Sequence, residues 1–186
     1  KVRAEIRSRV GRETFVETYG REPTDDRELS AHIARSTRPP RQPVAGYDVT
    51  FSPVKSVSTL WAVAPREVSE QIEEAHKAAV EDAMDWIERT VSYTRRGRGG
   101  VRQVDINGLL MASFTHRDSR AGDPDLHTHV AVSNKVQALD GSWLALDGQP
   151  LHQALVAASE RYNTRLEAEV TTRLGVGFAE RIDPSR

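Results

Sequence analysis

Three histidines are the residues of this chain best suited to chemistry. His127 and His129 lie in the run Asp123-Pro-Asp-Leu-His-Thr-His-Val-Ala-Val-Ser-Asn134. After Leu126 that run is rich in Thr and Val, the composition of a β-strand. Alternate strand side chains share a face, so His127 and His129 point the same way. His116 ends a second apolar run, Gly108-Leu-Leu-Met-Ala-Ser-Phe-Thr-His116, and a loop leads back to His127. If the two strands pair antiparallel, all three rings converge. Three neutral imidazoles suit Zn, Mn, Ni, Co or Fe, and leave positions open for water or substrate, as Lewis-acid work requires. A His-x-His pair alone is more often structural or incidental; the third His favours the metal. His32, His76 and His152 read as surface or hydrogen-bonded histidines of helices.

Other candidates surround this set. Asp48 falls in the strand-like Gly46-Tyr-Asp-Val-Thr-Phe51, where Asp is disfavoured. It is read as a partner fixing the tautomer of a ligating His, as a general base, or as part of an exposed sheet face. Lys55 follows Ser52-Pro53, which reads as an N-cap with Pro at the first helical position. It would either help dock a phosphate or sit solvated. Arg95, Arg96, Arg98 and Arg102 cluster among glycines, as a nucleic-acid contact or a plain basic loop. Asp118, Asp123 and Asp125 act behind the ligands or simply form the turn.

The elements that must position these residues are legible in outline. Val2, Ile6 and Val10 have helical spacing, and a short helix follows near 25–36 with Leu29 and Ile33 inward. Arg38-Pro-Pro-Arg-Gln-Pro43 reads as a linker. A strand at 46–51 puts Tyr47, Val49 and Phe51 on one face, with Asp48 and Thr50 on the other. A short helix covers 53–63. Val68, Ile72, Ala75, Ala79, Ala83 and Trp86 make an amphipathic stripe over 66–90. Residues 93–104 form a hairpin tip or mobile loop, and strands are expected at 105–116 and 126–136. A turn at Leu139-Asp-Gly-Ser142 leads to a short strand. A second long helix runs over 150–174, with Gly175 as its cap, and a final strand begins at Gly177-Phe178. Strands and helices are segregated rather than strictly alternating, so the fold class is α+β: a central antiparallel sheet with helices packed on it.

The bulk numbers bound the function. The 186 residues suit one domain with a real core, expected as a helical part with a Pro-rich linker over 1–43 and a metal-binding core over 44–186. The chain opens on Lys1 without an initiator Met, which reads as a truncated N-terminus. With no cysteine, thiolate sites are excluded and any metal must sit on His, Asp or Glu. No apolar run is long enough for a membrane span, and no signal peptide is visible, so a cytoplasmic location is expected. Net charge is −1, which argues against a strongly basic nucleic-acid binder. The charge is uneven, however: residues 53–90 carry 4 Lys/Arg against 8 Asp/Glu, and residues 91–135 carry 7 against 4. The positive segment is the one that holds the three histidines.

Gly46-Tyr-Asp-Val-Thr-Phe-Ser-Pro-Val-Lys-Ser-Val-Ser58, then His116-Arg, then Asp123 to Asn134, together resemble the TrwC/TraI-type conjugative relaxase domain. These are HUH endonucleases of the MobF class. The resemblance runs from about Gly46 to Leu174 and lies in the combination and its order. It implies a palm-like or ferredoxin-like sheet. It also implies one divalent ion (Mg, Mn, Zn, Ni or Co) on His116, His127 and His129, polarising the scissile phosphate of single-stranded DNA at a transfer origin. Asp48 then matches the family's acidic residue beside the site, thought to activate the tyrosine or orient a histidine. In the family, a tyrosine near the N-terminus attacks the phosphate and stays linked to the 5′ end, reversibly. A helicase domain often follows. Tyr19, Tyr47, Tyr93 and Tyr162 do not match the tyrosine's context, so the nucleophile is expected to be missing from these residues. A rival is a non-catalytic single-stranded DNA-binding module with a vestigial metal site. A cupin-like metal enzyme is disfavoured, because no Glu follows His129 until Glu160 and the long helices do not suit a barrel.

Overall fold

The computed structural model describes residues 2–37 and 43–179. The chain divides into two compact units, one ending at Pro43 and one beginning at Val44. Of the linker expected from Arg38 to Pro43, residues 38–42 lie outside the described residues.

The first unit is a helical hairpin of α1 (Val2–Tyr19) and α2 (Asp26–Ser36). Asp25 caps α2 by accepting from the Glu28 N–H. Phe15, Leu29 and His32 are buried between the helices, and the Thr14 hydroxyl satisfies the His32 ring.

The second unit holds the three histidines. In chain order it runs β1 (Gly46–Phe51), α3 (Lys55–Val63), α4 (Arg66–Val91), β2 (Tyr93–Arg96), β3 (Arg102–Asp105), β4 (Met111–Asp118), β5 (Pro124–Ser133), β6 (Lys135–Gln137), β7 (Trp143–Ala145) and α5 (Gly148–Leu174). Its main sheet is antiparallel, in the order β1-β5-β4, with β5 central. Val49 and Phe51 of β1 and Leu126, Thr128, Val130 and Val132 of β5 are buried on one side. The apolar stripe of α4 (Ile72, Ala75, Ala79, Ala83, Ile87) and that of α5 (Leu151, Ala158, Tyr162, Leu166, Val170) are buried too, and most of these residues join the strand residues in one core. Such burial contributes on the order of 1.5–3 kcal/mol per large side chain, and this fixes which face of the sheet is covered.

Several local expectations need correcting. Helix α3 begins at Lys55 behind Val54, and Ser52-Pro53 does not cap it with a side chain. The strand expected at 105–116 breaks at Gly108, where φ is +139°, and β3 pairs with β2 as a separate hairpin. Residues 93–104 are that hairpin, closed by a 3-10 turn at Arg98–Gly100 in which Gly99 has φ +74°. The strand expected at 126–136 stops at Ser133. The Asn134 amide then donates to the Val44 carbonyl, and β6 turns off to pair with β7. No strand forms at Gly177-Phe178. At Gly108 and Asn134 a glycine or an asparagine side chain redirects an apolar run that continues in sequence.

Candidate metal centre

Strand register brings the histidines together. His116 is the direct cross-strand partner of His127, and His129 lies two residues further along β5, opposite Phe114. On the other side of β5, Thr50 is opposite His129 and Asp48 opposite Ala131. Directly paired residues share a face, so His116, His127, His129, Thr50 and Asp48 all stand on the side of the sheet away from α4 and α5. The β4–β5 register shifts just beyond His116, between it and Asp118, and such irregularities end regular pairing and re-aim side chains.

The three ring centroids form a near-equilateral triangle, 5.2, 5.4 and 5.2 Å on a side. Three imidazoles on one tetrahedral ion, at ~2.0–2.1 Å per nitrogen, have centroids roughly 5 Å apart. Two of the rings are already oriented from behind. His129 Nδ1 lies 2.8 and 3.0 Å from the two Asp48 carboxylate oxygens and 3.1 Å from the Thr50 hydroxyl. His127 Nδ1 lies 2.8 Å from the Asp125 carbonyl. Each Nδ1–H therefore donates, which leaves Nε2 as the free lone pair on both rings, the tautomer a ligand needs. His116 is exposed and stacks at 21° on His127, so its ring must turn before the nitrogens converge. As the rings stand, no three His, Asp or Glu among the described residues are set to hold a metal ion.

The ground around the triangle is open. Gly46, Ala112 and Ala131 leave a shallow groove of about 660 Å³ beside Asp48, rimmed by Leu110 and Met111. Phe114, opposite His129, is 56 % exposed.

Other anticipated residues have local partners. Lys55 Nζ reaches the Pro124 carbonyl at 3.2 Å and the Asp123 carboxylate at 3.4 Å, tying α3 to the start of β5. Asp123 is also held by Ser119, which together with Lys55 keeps its carboxyl below the usual range. Arg95 pairs with Asp147, whose side chain caps α5, and Arg96 with Asp140 and Ser142. Arg98 and Arg102 are exposed at the turn and start of β3. Asp118 ends β4 and is exposed. Of the tyrosines in this unit, Tyr162 is buried beneath the sheet, Tyr47 lies against Gly148 and His152, and Tyr93 donates to the Thr90 carbonyl. Tyr19 belongs to the other unit.

Of the two readings open for His76, surface or hydrogen-bonded, the structure shows the second. His76 on α4 is 1 % exposed, with Nδ1 2.7 Å from the Tyr162 hydroxyl and Nε2 2.7 Å from the Thr128 hydroxyl. Thr128 in turn lies 2.9 Å from the Thr115 hydroxyl. Burial lowers the His76 pKa to about 4, with Glu73 opposing, and pushes Tyr162 far up. Its signal was present: His76 falls on the stripe of Ile72, Ala79 and Ala83, and Thr128 alternates with Leu126 and Val130.

A family model described as TrwC relaxase matches residues 3–186. The multifunctional conjugation protein TraI of Escherichia coli is 39% identical over 101 residues, 54% of this chain and 6% of TraI. TraI of strain K12 is 37% identical over the same length. The conjugative relaxase TrwC in complex with oriT DNA, in a metal-free structure, superposes with a TM-score of 0.68 at 27% identity. That match covers 91% of this chain and 62% of the chain in that structure. A metal-bound TrwC–oriT DNA structure matches with a TM-score of 0.66 at 28% identity, over 84% of this chain and 58% of that one. The chain therefore spans less than two thirds of the TrwC chains in those structures and a small fraction of TraI.

Proposed function

This chain belongs to the TrwC relaxase family, and from that premise we propose that it carries the metal-binding half of an enzyme that nicks and rejoins single-stranded DNA at a transfer origin. The carrying observation is the triangle of His116, His127 and His129 on the uncovered sheet face, with Nε2 left free on two of its rings. The donor set fits one divalent ion of the borderline kind (Zn, Ni or Co), or the harder Mn or Mg held with more water. When bound, such an ion polarises a phosphoryl oxygen and stabilises charge as the P–O bond breaks.

The chain's own residues prepare that site. Asp48 holds the His129 tautomer, and its carboxylate, still 60 % exposed, can take a proton from an attacking hydroxyl brought onto this face. The Asp125 carbonyl holds His127. The groove beside Asp48 offers a track for the strand. Of the five basic residues anticipated for DNA, Arg98 and Arg102 are without a carboxylate partner among the described residues, whereas Lys55, Arg95 and Arg96 are engaged with carboxylates.

The attacking tyrosine lies outside these 186 residues in this reading. Tyr162 is buried and protonated, and Tyr47 and Tyr93 are held away from the histidine face. A phenol of ordinary pKa ~10 needs both an activated phosphate and a base, so position decides which tyrosine serves. The whole protein would act in the cytoplasm through a reversible tyrosyl-DNA link, with a helicase domain beyond this part.

The test is cleavage of a labelled oligonucleotide spanning the protein's transfer origin, with Mn²⁺ or Mg²⁺. These 186 residues should bind without forming a covalent product; a tyrosyl-linked product from them alone refutes the missing nucleophile. A second reading, a non-catalytic DNA-binding module with a vestigial site, draws on the unconverged rings. Salt-dependent DNA binding, with no metal uptake in the wild type and no change in His127→Ala, would favour it.

A further inference from the structure

The buried chain of hydroxyls around His76 has a direction. Tyr162 is 2 % exposed, and among the described residues His76 is the partner of its hydroxyl. If His76 donated from Nδ1, the Tyr162 O–H would be buried without an acceptor, at a cost of ~1–3 kcal/mol. Tyr162 therefore donates to His76 Nδ1, and His76 Nε2–H donates to Thr128. Thr128 then donates to Thr115, whose own O–H faces solvent. The chain starts on α5, crosses α4 and ends on the β4–β5 pair.

It ends at an informative place. Thr128 lies between His127 and His129, and Thr115 immediately precedes His116. Thr115 and Thr128 are direct cross-strand partners, one step from the His116–His127 pair. β4 is an edge strand with all eight residues exposed, so side-chain burial does little to hold its register. A slip of one residue would turn His116 to the other face.

We propose that His76 is a positioning residue for the metal centre: from the covered side of the sheet, its hydrogen bonds through Thr128 to Thr115 hold β4 and β5 in the register that assembles His116, His127 and His129. Both strands are gripped from behind at the residues adjoining the ligands. On the open face Asp48 and Thr50 orient His129, while the register itself is held from the covered side. The inference rests on reading the triangle as a metal site.

The experiment is Zn²⁺ titration of the folded 186-residue chain, wild type and variants, alongside thermal melts. Thr128→Val removes the central hydroxyl at nearly constant shape and should weaken Zn²⁺ binding about tenfold, the scale for residues that orient ligands. Thr128→Ser should restore it to within about twofold of wild type on the same scale. Val170→Ala, a core truncation on α5, should lower Tm while leaving Zn²⁺ affinity unchanged. Thr115→Val, at an exposed position that cannot unfold the core, should shift affinity in the same direction as Thr128→Val. Unchanged affinity in Thr128→Val or Thr115→Val overturns the proposal, as does equal loss in Thr128→Val and Val170→Ala. Nitrogen-15 spectra of the imidazoles should show His76 as the Nε2–H tautomer; Nδ1–H overturns it. His127→Ala separates the two failures. If the wild type takes up no Zn²⁺, or His127→Ala takes up as much, the metal reading itself has failed and this inference with it.

Discussion

The two faces of the β1-β5-β4 sheet are written by alternate residues of the same strands, yet they do opposite work. The covered face carries Val49, Phe51, Leu126, Thr128, Val130 and Val132 and is sealed by two long helices. The open face carries Asp48, Thr50, His116, His127 and His129, with polar atoms held by neighbours and Nε2 lone pairs left unused on two rings. The difference separates stability from chemistry. Closely packed apolar contacts make one face expensive to alter. The other is exposed, which suits the binding role proposed for its polar groups. His76 is where the division blurs: a polar group on the covered face whose contacts end beside His116, His127 and His129.

The sharpest way to break this comparison is to remove one group from each face. His127→Ala should abolish Zn²⁺ binding, a loss beyond ~100-fold and larger than for ligand-orienting residues, with little change in Tm. Titration calorimetry checks the first and a melt the second; a large fall in Tm would mean the open face is also structural. Leu126→Ala, one residue away and fully buried, should do the reverse. It should cost about 3 kcal/mol of unfolding free energy in urea, while the folded fraction still binds Zn²⁺.

Those expectations rest on strand parity, which is why so much of the site was legible. His127, His129 and Asp48 are placed by counting residues along strands whose apolar partners must face a core. His116 needed the antiparallel pairing as well, which the short loop to His127 made natural. The partners of Lys55, Arg95 and Arg96 were not legible. Asp123, Asp147 and Asp140 lie 68, 52 and 44 residues away respectively, and no local pattern encodes such a meeting.

Two smaller effects sharpen the comparison. The His76 imidazole is neutral when folded, with a pKa of about 4, while its unfolded value is near 6.5. Above pH 6.5 both states are neutral and the protein keeps its full stability. Below that the unfolded state takes up a proton that the folded state refuses, so stability falls as pH drops toward 4. Near pH 5 the loss should reach about 2 kcal/mol relative to pH 7. In His76→Gln that component is absent, and the gap between the two proteins should narrow as pH falls. A constant gap in urea melts at pH 7 and pH 5 would contradict the buried neutral ring. The smallest effect belongs to the basic hairpin. Arg98→Ala and Arg102→Ala should each flatten the salt dependence of single-stranded DNA binding by about 0.7 in log–log slope. Arg95→Ala and Arg96→Ala should act mainly on stability, through Asp147 and Asp140.

The sequence alone determined the α+β class, the two long helices, the parity of each strand and therefore which residues share the open face. These follow from periodicity, which is local. The breaks at Gly108 and Asn134, the direction of β6 and the engagement of the basic residues were decided by the tertiary structure, because each depends on what stands opposite after folding. So was the place of His76, the one histidine of α4, in a buried series of hydrogen bonds that reaches β5 and β4. A buried imidazole must find partners for both nitrogens, and only the packing of α4 and α5 against β5 supplies a phenol on one side and a threonine on the other.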